Sequence, residues 1–181
     1  VLSKTNKPLQ KFTNLSVLND LEARYVLPAK IQAEDYVNML GISVESTSDT
    51  GGGSNIGYTH KDDYAEYKIY NEERRKFTVD FRIASNSDAG EISLDLVEES
   101  TGRFITIMDK LTLPVTNDWQ SWTTITKNLT EDIRKGVHII RLNIHKGGFN
   151  MNWMDFKEID SDGDGVSDSN DNCPNTPQGT R

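Results

Sequence analysis

The most regular set of chemically capable side chains is a run of alternating aspartates near the C-terminal end of the sequence. From Asp160 onward, oxygen-bearing residues stand at loop positions 1, 3, 5, 9 and 12, with glycine at position 6. Calcium takes six to eight oxygen ligands, and a glycine at the sixth position permits the sharp turn of such a loop. The spacing predicts a calcium-binding acidic linker, with a spacer that binds no ion as the alternative. Its ligands are Asp160, Asp162, Asp164, Asp168, Asp171 and the backbone carbonyl of Val166.

Aromatic side chains also stand beside polar and glycine-rich loops. Tyr58 ends the segment Asp49–Tyr58, which contains three consecutive glycines, and Trp119 follows an Asn-Asp pair. The glycine run is no phosphate loop, because no Lys-Ser or Lys-Thr pair follows it. A sugar presents apolar C–H faces and polar hydroxyls, so a sugar site combines flat rings with a few amide or carboxylate groups. The two rings are therefore candidate sugar contacts, and ordinary half-buried packing is the alternative.

Catalytic motifs are absent from the sequence. A glycoside hydrolase needs two carboxylates about 5–9.5 Å apart across the scissile bond, and neither Glu45 nor Glu66 belongs to the motif of a catalytic acid. The three histidines lie in separate segments, and no G-x-S-x-G motif accompanies them. We therefore expect a binding module and no enzyme, with a purely structural or adhesive module as the remaining alternative.

Charge and hydropathy exclude two classes of partner. The 181 residues carry a formal net charge of −8 at pH 7, and five of the negative charges lie in the acidic loop. Nucleic-acid binding requires a basic stripe, whereas the only basic run, Glu72–Lys76, is mixed in sign and typical of a solvated turn. No apolar run approaches the roughly 18 residues that span a bilayer. Cys173 is the single cysteine, so no disulfide can form within the chain.

Short alternations of apolar and polar residues begin near Tyr25 and predict antiparallel strands with one buried face. The clearest is Phe77–Ile83, and others are centred on Leu94, Ile105–Ile107 and Leu142. This rhythm is typical of a β-sandwich. We predict a linker or N-terminal extension at residues 1–23, an all-β sandwich module at 24–158 and an acidic linker at 159–181.

Residues 25–158 resemble a family 6 carbohydrate-binding module. The resemblance implies a β-sandwich jelly roll of the galactose-binding-like type that binds glycans at a loop edge. It rests on motifs that occur in the family's order, namely Ile31–Tyr36, Asp49–Tyr58, Asp63–Tyr67, Trp119–Trp122 and Gly147–Trp153.

The resemblance assigns roles to particular residues. Tyr58 and Trp119 form an aromatic clamp, Asn150 is the amide that hydrogen-bonds the clamped sugar, and Glu45 is a carboxylate that accepts from its hydroxyls. Trp122 and Trp153 are expected in the core. A possible second site on the concave sheet face contains Tyr64, where the family often has tryptophan, together with Asn38. A structural calcium ion is expected to be bound by Gln32, Glu34 and Asp155.

The acidic loop, extended to Cys173-Pro174, resembles a thrombospondin type 3 repeat, which implies a calcium-filled linker. The two resemblances together imply a secreted or extracellular accessory module that is covalently linked to a catalytic domain and binds polysaccharide or oligosaccharide. A lone clamp closed by a carboxylate suits chain ends and the bent chain of β-1,3-linked glucose. Laminarin-type β-glucan is therefore the first expectation for the ligand, with xylan and agarose as alternatives.

Overall fold

The computed structural model describes residues 23–98, 101–160 and 168, and every regular element within these residues is a β-strand. This part of the chain contains no helix, and hence none that could cross a membrane. The strands are β1 Tyr25–Leu27, β2 Lys30–Gln32, β3 Asn38–Leu40, β4 Ser43–Ser46, β5 Ser54–Gly57, β6 Tyr64–Asn71, β7 Phe77–Ser85, β8 Glu91–Glu98, β9 Arg103–Thr112, β10 Asp118–Asn128, β11 Gly136–Lys146 and β12 Asn150–Glu158.

The strands form two sheets that pack as a jelly-roll sandwich, as predicted. Sheet A has the order β1-β6-β11-β8-β9, and β3 also pairs with β6. Sheet B has the order β10-β7-β12-β5-β4, and β2 also pairs with β12. All pairs are antiparallel except β1 with β6.

Alternating side chains produce one buried face on each sheet. In β6, Ala65, Tyr67 and Ile69 are fully buried, whereas their neighbours on the outer face are more exposed. Phe77 of β7 and Phe156 of β12 are also buried, and their rings meet edge to face with centroids 6.3 Å apart. The alternations predicted around Val79, Leu94, Ile107 and Leu142 all lie in strands, because each supplies an apolar row to the core.

Two register shifts overturn the prediction that Trp122 and Trp153 belong to the core. The pairing of β10 with β7 shifts register between Asp118 and Thr123, and that of β12 with β7 shifts between Met151 and Trp153. Each shift leaves an odd number of extra residues on β10 or β12, which reverses the alternation of side chains across it. Trp122 and Trp153 are consequently only half-buried, while Met154 takes a fully buried position.

Several predictions lie outside the described residues. They concern the N-terminal extension over residues 1–22 and the acidic-loop residues Asp162, Asp164, Val166 and Asp171. Of the predicted loop ligands, Asp160 and Asp168 are described, and the backbone N–H of Asp168 donates to the carbonyl of Ile159 at 2.8 Å.

Candidate functional site

All four residues of the predicted glycan site line one cavity of about 870 Å³. Glu45 lies in β4, Tyr58 directly follows β5, Trp119 is near the start of β10, and Asn150 is the first residue of β12. Sheet B brings them together because β12 pairs with β5, and β5 pairs with β4. The site is thus formed at the ends of strands whose positions are set by the core.

The two aromatic rings are exposed large hydrophobic side chains of the cavity. Tyr58 is 65% and Trp119 46% exposed, which is unusual for rings that could bury apolar area in a core. Tyr58 also has a φ of 57°, a left-handed conformation that bulky residues rarely adopt. An exposed ring on a strained backbone is typical of a binding site rather than of a packing position.

The buried Thr59 holds the backbone next to Tyr58 in place. Its hydroxyl donates to the carbonyl of Phe149 at 2.9 Å and accepts from the N–H of Gly148 at 3.1 Å. A Cβ at Gly147 would lie 1.9 Å from the carbonyl oxygen of Thr59, so only glycine permits this approach of the two loops. The loop after β5 is therefore tied to the loop before β12.

Asn150 connects the other residues of the site. Its side chain is almost completely buried, and its amide nitrogen donates to Glu45 Oε1 at 2.7 Å and to the backbone carbonyl of Trp119 at 2.9 Å. An amide has two N–H donors, so both are used within the protein. The carbonyl oxygen of Asn150 is left as an acceptor, and the lack of a Cβ at Gly57 makes room beside it.

Glu45 contributes a second acceptor to the same place. Its Oε1 atom receives hydrogen bonds from Asn150 and from Asn55, the latter at 3.2 Å. A carboxylate only accepts, so its Oε2 atom can bind a donor from a ligand. The centre of the cavity therefore presents acceptors, a pattern that suits hydroxyl groups which donate.

The protein-family model described as "Carbohydrate binding module (family 6)" matches residues 32–158. The chain belongs to the family 6 carbohydrate-binding modules. The module is therefore a non-catalytic carbohydrate binder, as the sequence predicted. A second family model, described as "Thrombospondin type 3 repeat", matches residues 155–181. This match confirms the predicted resemblance of the acidic segment to such a repeat.

Three known proteins illustrate the similarity. The clotting factor G alpha subunit of Tachypleus tridentatus is 31% identical over 130 residues, which are 71% of this chain but 18% of that protein. A β-1,3-glucan binding family 6 module from Bacillus halodurans has a TM-score of 0.63 and 30% identity, covering 74% of this chain and 98% of that one. A family 6 module of the Cellvibrio mixtus lichenase 5A, solved in complex with cellotriose, has a TM-score of 0.62 and 30% identity over 73% and 98% of the respective chains. The chain thus spans about a fifth of the curated relative.

An ion pair anchors the glycine-rich loop of the module. Arg82 donates to both carboxylate oxygens of Asp49 at 2.9 and 2.7 Å, and Asn152 donates to the same carboxylate at 2.8 Å. Hydrogen bonds from Arg82 lower the pKa of Asp49 to about 2, although burial opposes the shift. The carboxylate therefore stays ionised at neutral pH and fixes the loop that joins β4 to β5.

The sequence did not single out several residues of the cavity. The most informative is Gln120, whose side chain accepts from the backbone N–H of Ser48 at 2.7 Å and donates to Asn55 at 3.4 Å. Its position between two tryptophans in Trp119–Trp122 was the available signal. Polar and charged residues complete the rim, namely His60, Lys61, Asp88, His145 and Lys146.

The residues predicted for a second site, Tyr64 and Asn38, lie together on the outer face of sheet A and are engaged with their neighbours. Asn38 donates to Tyr64 at 3.3 Å and to Glu66 at 2.8 Å. The guanidinium of Arg141 lies 3.9 Å from the centre of the Tyr64 ring and 4.6 Å from that of Phe104. It also donates to Glu66, so a charged group covers the ring that a sugar would need.

The predicted structural calcium ligands lie around strand β2. Gln32 pairs with Trp153 and Lys30 with Asp155 in the ladder between β2 and β12, and Glu34 follows that strand. Within 23–98, 101–160 and 168, no three His, Cys, Asp or Glu residues form a metal-binding group. The fit rests on Glu34, whose Oε2 atom is buried without a hydrogen-bond partner in the described part of the chain. Burial raises the pKa of this carboxyl, and a bound cation would relieve both the desolvation and the missing partner.

Proposed function

We propose that this module binds β-glucan, and β-1,3-glucan of the laminarin type in particular, in the cavity between Tyr58 and Trp119. The single observation that supports this most strongly is the combination of two exposed rings with the acceptors of Asn150 and Glu45. The rings offer apolar faces to the C–H surfaces of a glucose residue, and the acceptors receive its hydroxyl protons. The similar Bacillus halodurans module, which binds β-1,3-glucan according to its description, supports the choice of linkage.

Binding of this kind depends more on the rings than on the polar contacts. Each hydrogen bond to a sugar replaces one to water and contributes only about 0.5–1.5 kcal/mol. Burial of an apolar sugar face on an indole contributes about 25 cal/mol per Å² and has no replacement when the ring is removed. The acceptors orient the sugar, and the clamp supplies most of the affinity.

The proposal extends to the location and the further domains of the protein that contains this module. A binding module that spans about a fifth of a relative's length is suited to target a larger protein to a polysaccharide. We propose a secreted or extracellular protein in which this module is covalently linked to a catalytic domain. The acidic repeat matched at residues 155–181 would serve as a calcium-filled linker, with Asp160 and Asp168 among its ligands.

Calcium is also proposed at the sandwich itself. Glu34 would hold the ion through its buried carboxylate, and Gln32 and Asp155 would contribute oxygens from the paired strands β2 and β12. Calcium prefers oxygen ligands of these types. When bound, it supplies positive charge between strands β2 and β12 and so stabilises the fold.

Trp119→Ala should remove measurable binding of laminari-oligosaccharides, whereas the variant should melt like the wild type. The loss of the indole face should cost about 2–3 kcal/mol, or at least about 30-fold in affinity. Isothermal titration calorimetry measures the affinity, and Trp153→Ala, which removes a tryptophan outside the cavity, is the matched control. Wild-type affinity of Trp119→Ala for laminarin, xylan and agarose would contradict the proposed site, and preferential wild-type binding of xylan or agarose would replace the proposed ligand.

Tyr64→Ala should change the affinity for short oligosaccharides by less than about threefold, because Arg141 already covers the Tyr64 ring. Tyr58→Ala removes the same side chain from the clamp and should weaken binding by at least about tenfold. Calorimetry on both variants compares the two faces directly. A loss in Tyr64→Ala equal to that in Tyr58→Ala would move the principal site to sheet A.

Chelation should lower the melting temperature of the full chain, and Glu34→Gln should lose most of this response. An ion present at about 100 times its dissociation constant stabilises the native state by about 2.7 kcal/mol, which corresponds to roughly 5–10 °C for a chain of this size. Asp162→Asn, a substitution in the acidic linker, is the control and should retain the response. An equal chelator effect in Glu34→Gln and the wild type would refute the role of Glu34.

A further inference from the structure

The segment that carries Trp119 has lost its regular strand pairing. The ladder between β10 and β7 is interrupted between Asp118 and Thr123, so residues 119–122 are not aligned by sheet hydrogen bonds in register with β7. A half-exposed indole on such a segment needs other contacts to keep one orientation. The contacts that replace the ladder should therefore determine where the ring stands.

Side chains supply those contacts in a closed ring of hydrogen bonds. Gln120 donates to Asn55 at 3.4 Å, and Asn55 donates to Glu45 at 3.2 Å. Asn150 donates to the same Glu45 oxygen at 2.7 Å and to the Trp119 carbonyl at 2.9 Å. The peptide bond between Trp119 and Gln120 completes the circuit, which joins both ligand-facing acceptors to the clamp.

Gln120 also fastens this ring to its surroundings. Its Oε1 atom accepts from the backbone N–H of Ser48 at 2.7 Å and from the indole N–H of Trp122 at 3.3 Å. The Ser48 bond connects the irregular segment of β10 to the loop that Asp49 and Arg82 anchor. The side-chain amide of Gln120 is thus bonded at both its donor and its acceptor ends.

We propose that Gln120, acting through Asn55, is a positioning residue that sets the geometry of Trp119 and Glu45 for glycan binding. This inference rests on the proposed function for its affinity readout, but the ring itself can be tested without a ligand. A side-chain amide both donates and accepts, and each half of the Gln120 amide has a defined partner. Substitutions that remove one or both halves therefore have different expected effects.

Gln120→Met, of similar size, removes donor and acceptor together and should weaken binding of laminari-oligosaccharides by about tenfold between pH 5 and 8. Gln120→Glu keeps the acceptor but places a carboxylate oxygen against the Asn55 carbonyl oxygen. It should weaken binding by a similar factor at pH 8. Its affinity relative to the wild type should recover in part at pH 4, below the usual glutamate pKa of about 4.3, as protonation of the carboxyl restores a donor. Ser121→Asp, which adds a charge at the exposed neighbouring residue, is the control and should bind like the wild type.

Hydrogen exchange provides the readout that needs no glycan. The Ser48 amide proton should exchange faster in Gln120→Met than in the wild type, because its acceptor is gone. If Gln120→Met does not fold, the pH series of Gln120→Glu decides. The inference is overturned if both variants bind like the wild type, or if Gln120→Glu is weakened equally, relative to the wild type, at pH 4 and pH 8. If the wild type binds no glycan, the proposed function has failed, and unchanged Ser48 exchange in Gln120→Met would overturn the positioning role separately.

Discussion

The buried amide of Asn150 determines the geometry of the candidate glycan site. It joins the carboxylate of β4 to the backbone of β10 through two short hydrogen bonds, and no other side chain of the described residues links these two strands to β12 in this way. Because a buried donor without a partner costs about 1–3 kcal/mol, the amide holds Glu45 and Trp119 in one arrangement. Because both N–H donors of Asn150 are used inside the protein, acceptors are left to face a ligand. The acceptor-lined surface thus follows from how the protein satisfies its own hydrogen bonds.

The two sheets of the module show how similar residues can have opposite consequences. On the edge of sheet B, glycines at positions 57 and 147 keep space open and bring loops together, so that two rings remain exposed. On the outer face of sheet A, Arg141 fills the space over Tyr64 and is held there by Glu66. The aromatic rings on the two sheets therefore differ in whether a charged side chain already lies against them.

The sequence could predict what depends on local periodicity and composition. Apolar alternation over Phe77–Ile83 predicted a strand, because every second side chain must reach the core. The motifs shared with family 6 modules predicted which loop residues meet in the cavity. Both kinds of prediction concern patterns that many chains with this fold must satisfy.

Register changes and individual hydrogen bonds were beyond the sequence. The burial of Trp122 and Trp153 was predicted wrongly because a register shift in each strand reverses the alternation, and no residue type marks such a shift unambiguously. Gln120 and Asn55 were missed for a related reason. Their importance depends on partners more than 60 residues away in sequence, which only the folded sheets bring within reach.

The central claim is that glycans bind at the clamp and its acceptors. It is tested most directly by a two-dimensional ¹H–¹⁵N NMR titration of the full chain with laminarihexaose. The account predicts that shifted signals concentrate on the loop after Tyr58, on Trp119 and Gln120 including the indole N–H of Trp119, and on the segment Gly147–Asn150. Shifts that map to Tyr64, Arg141 and Phe104 on sheet A, or a spectrum that does not change at millimolar sugar, would contradict it.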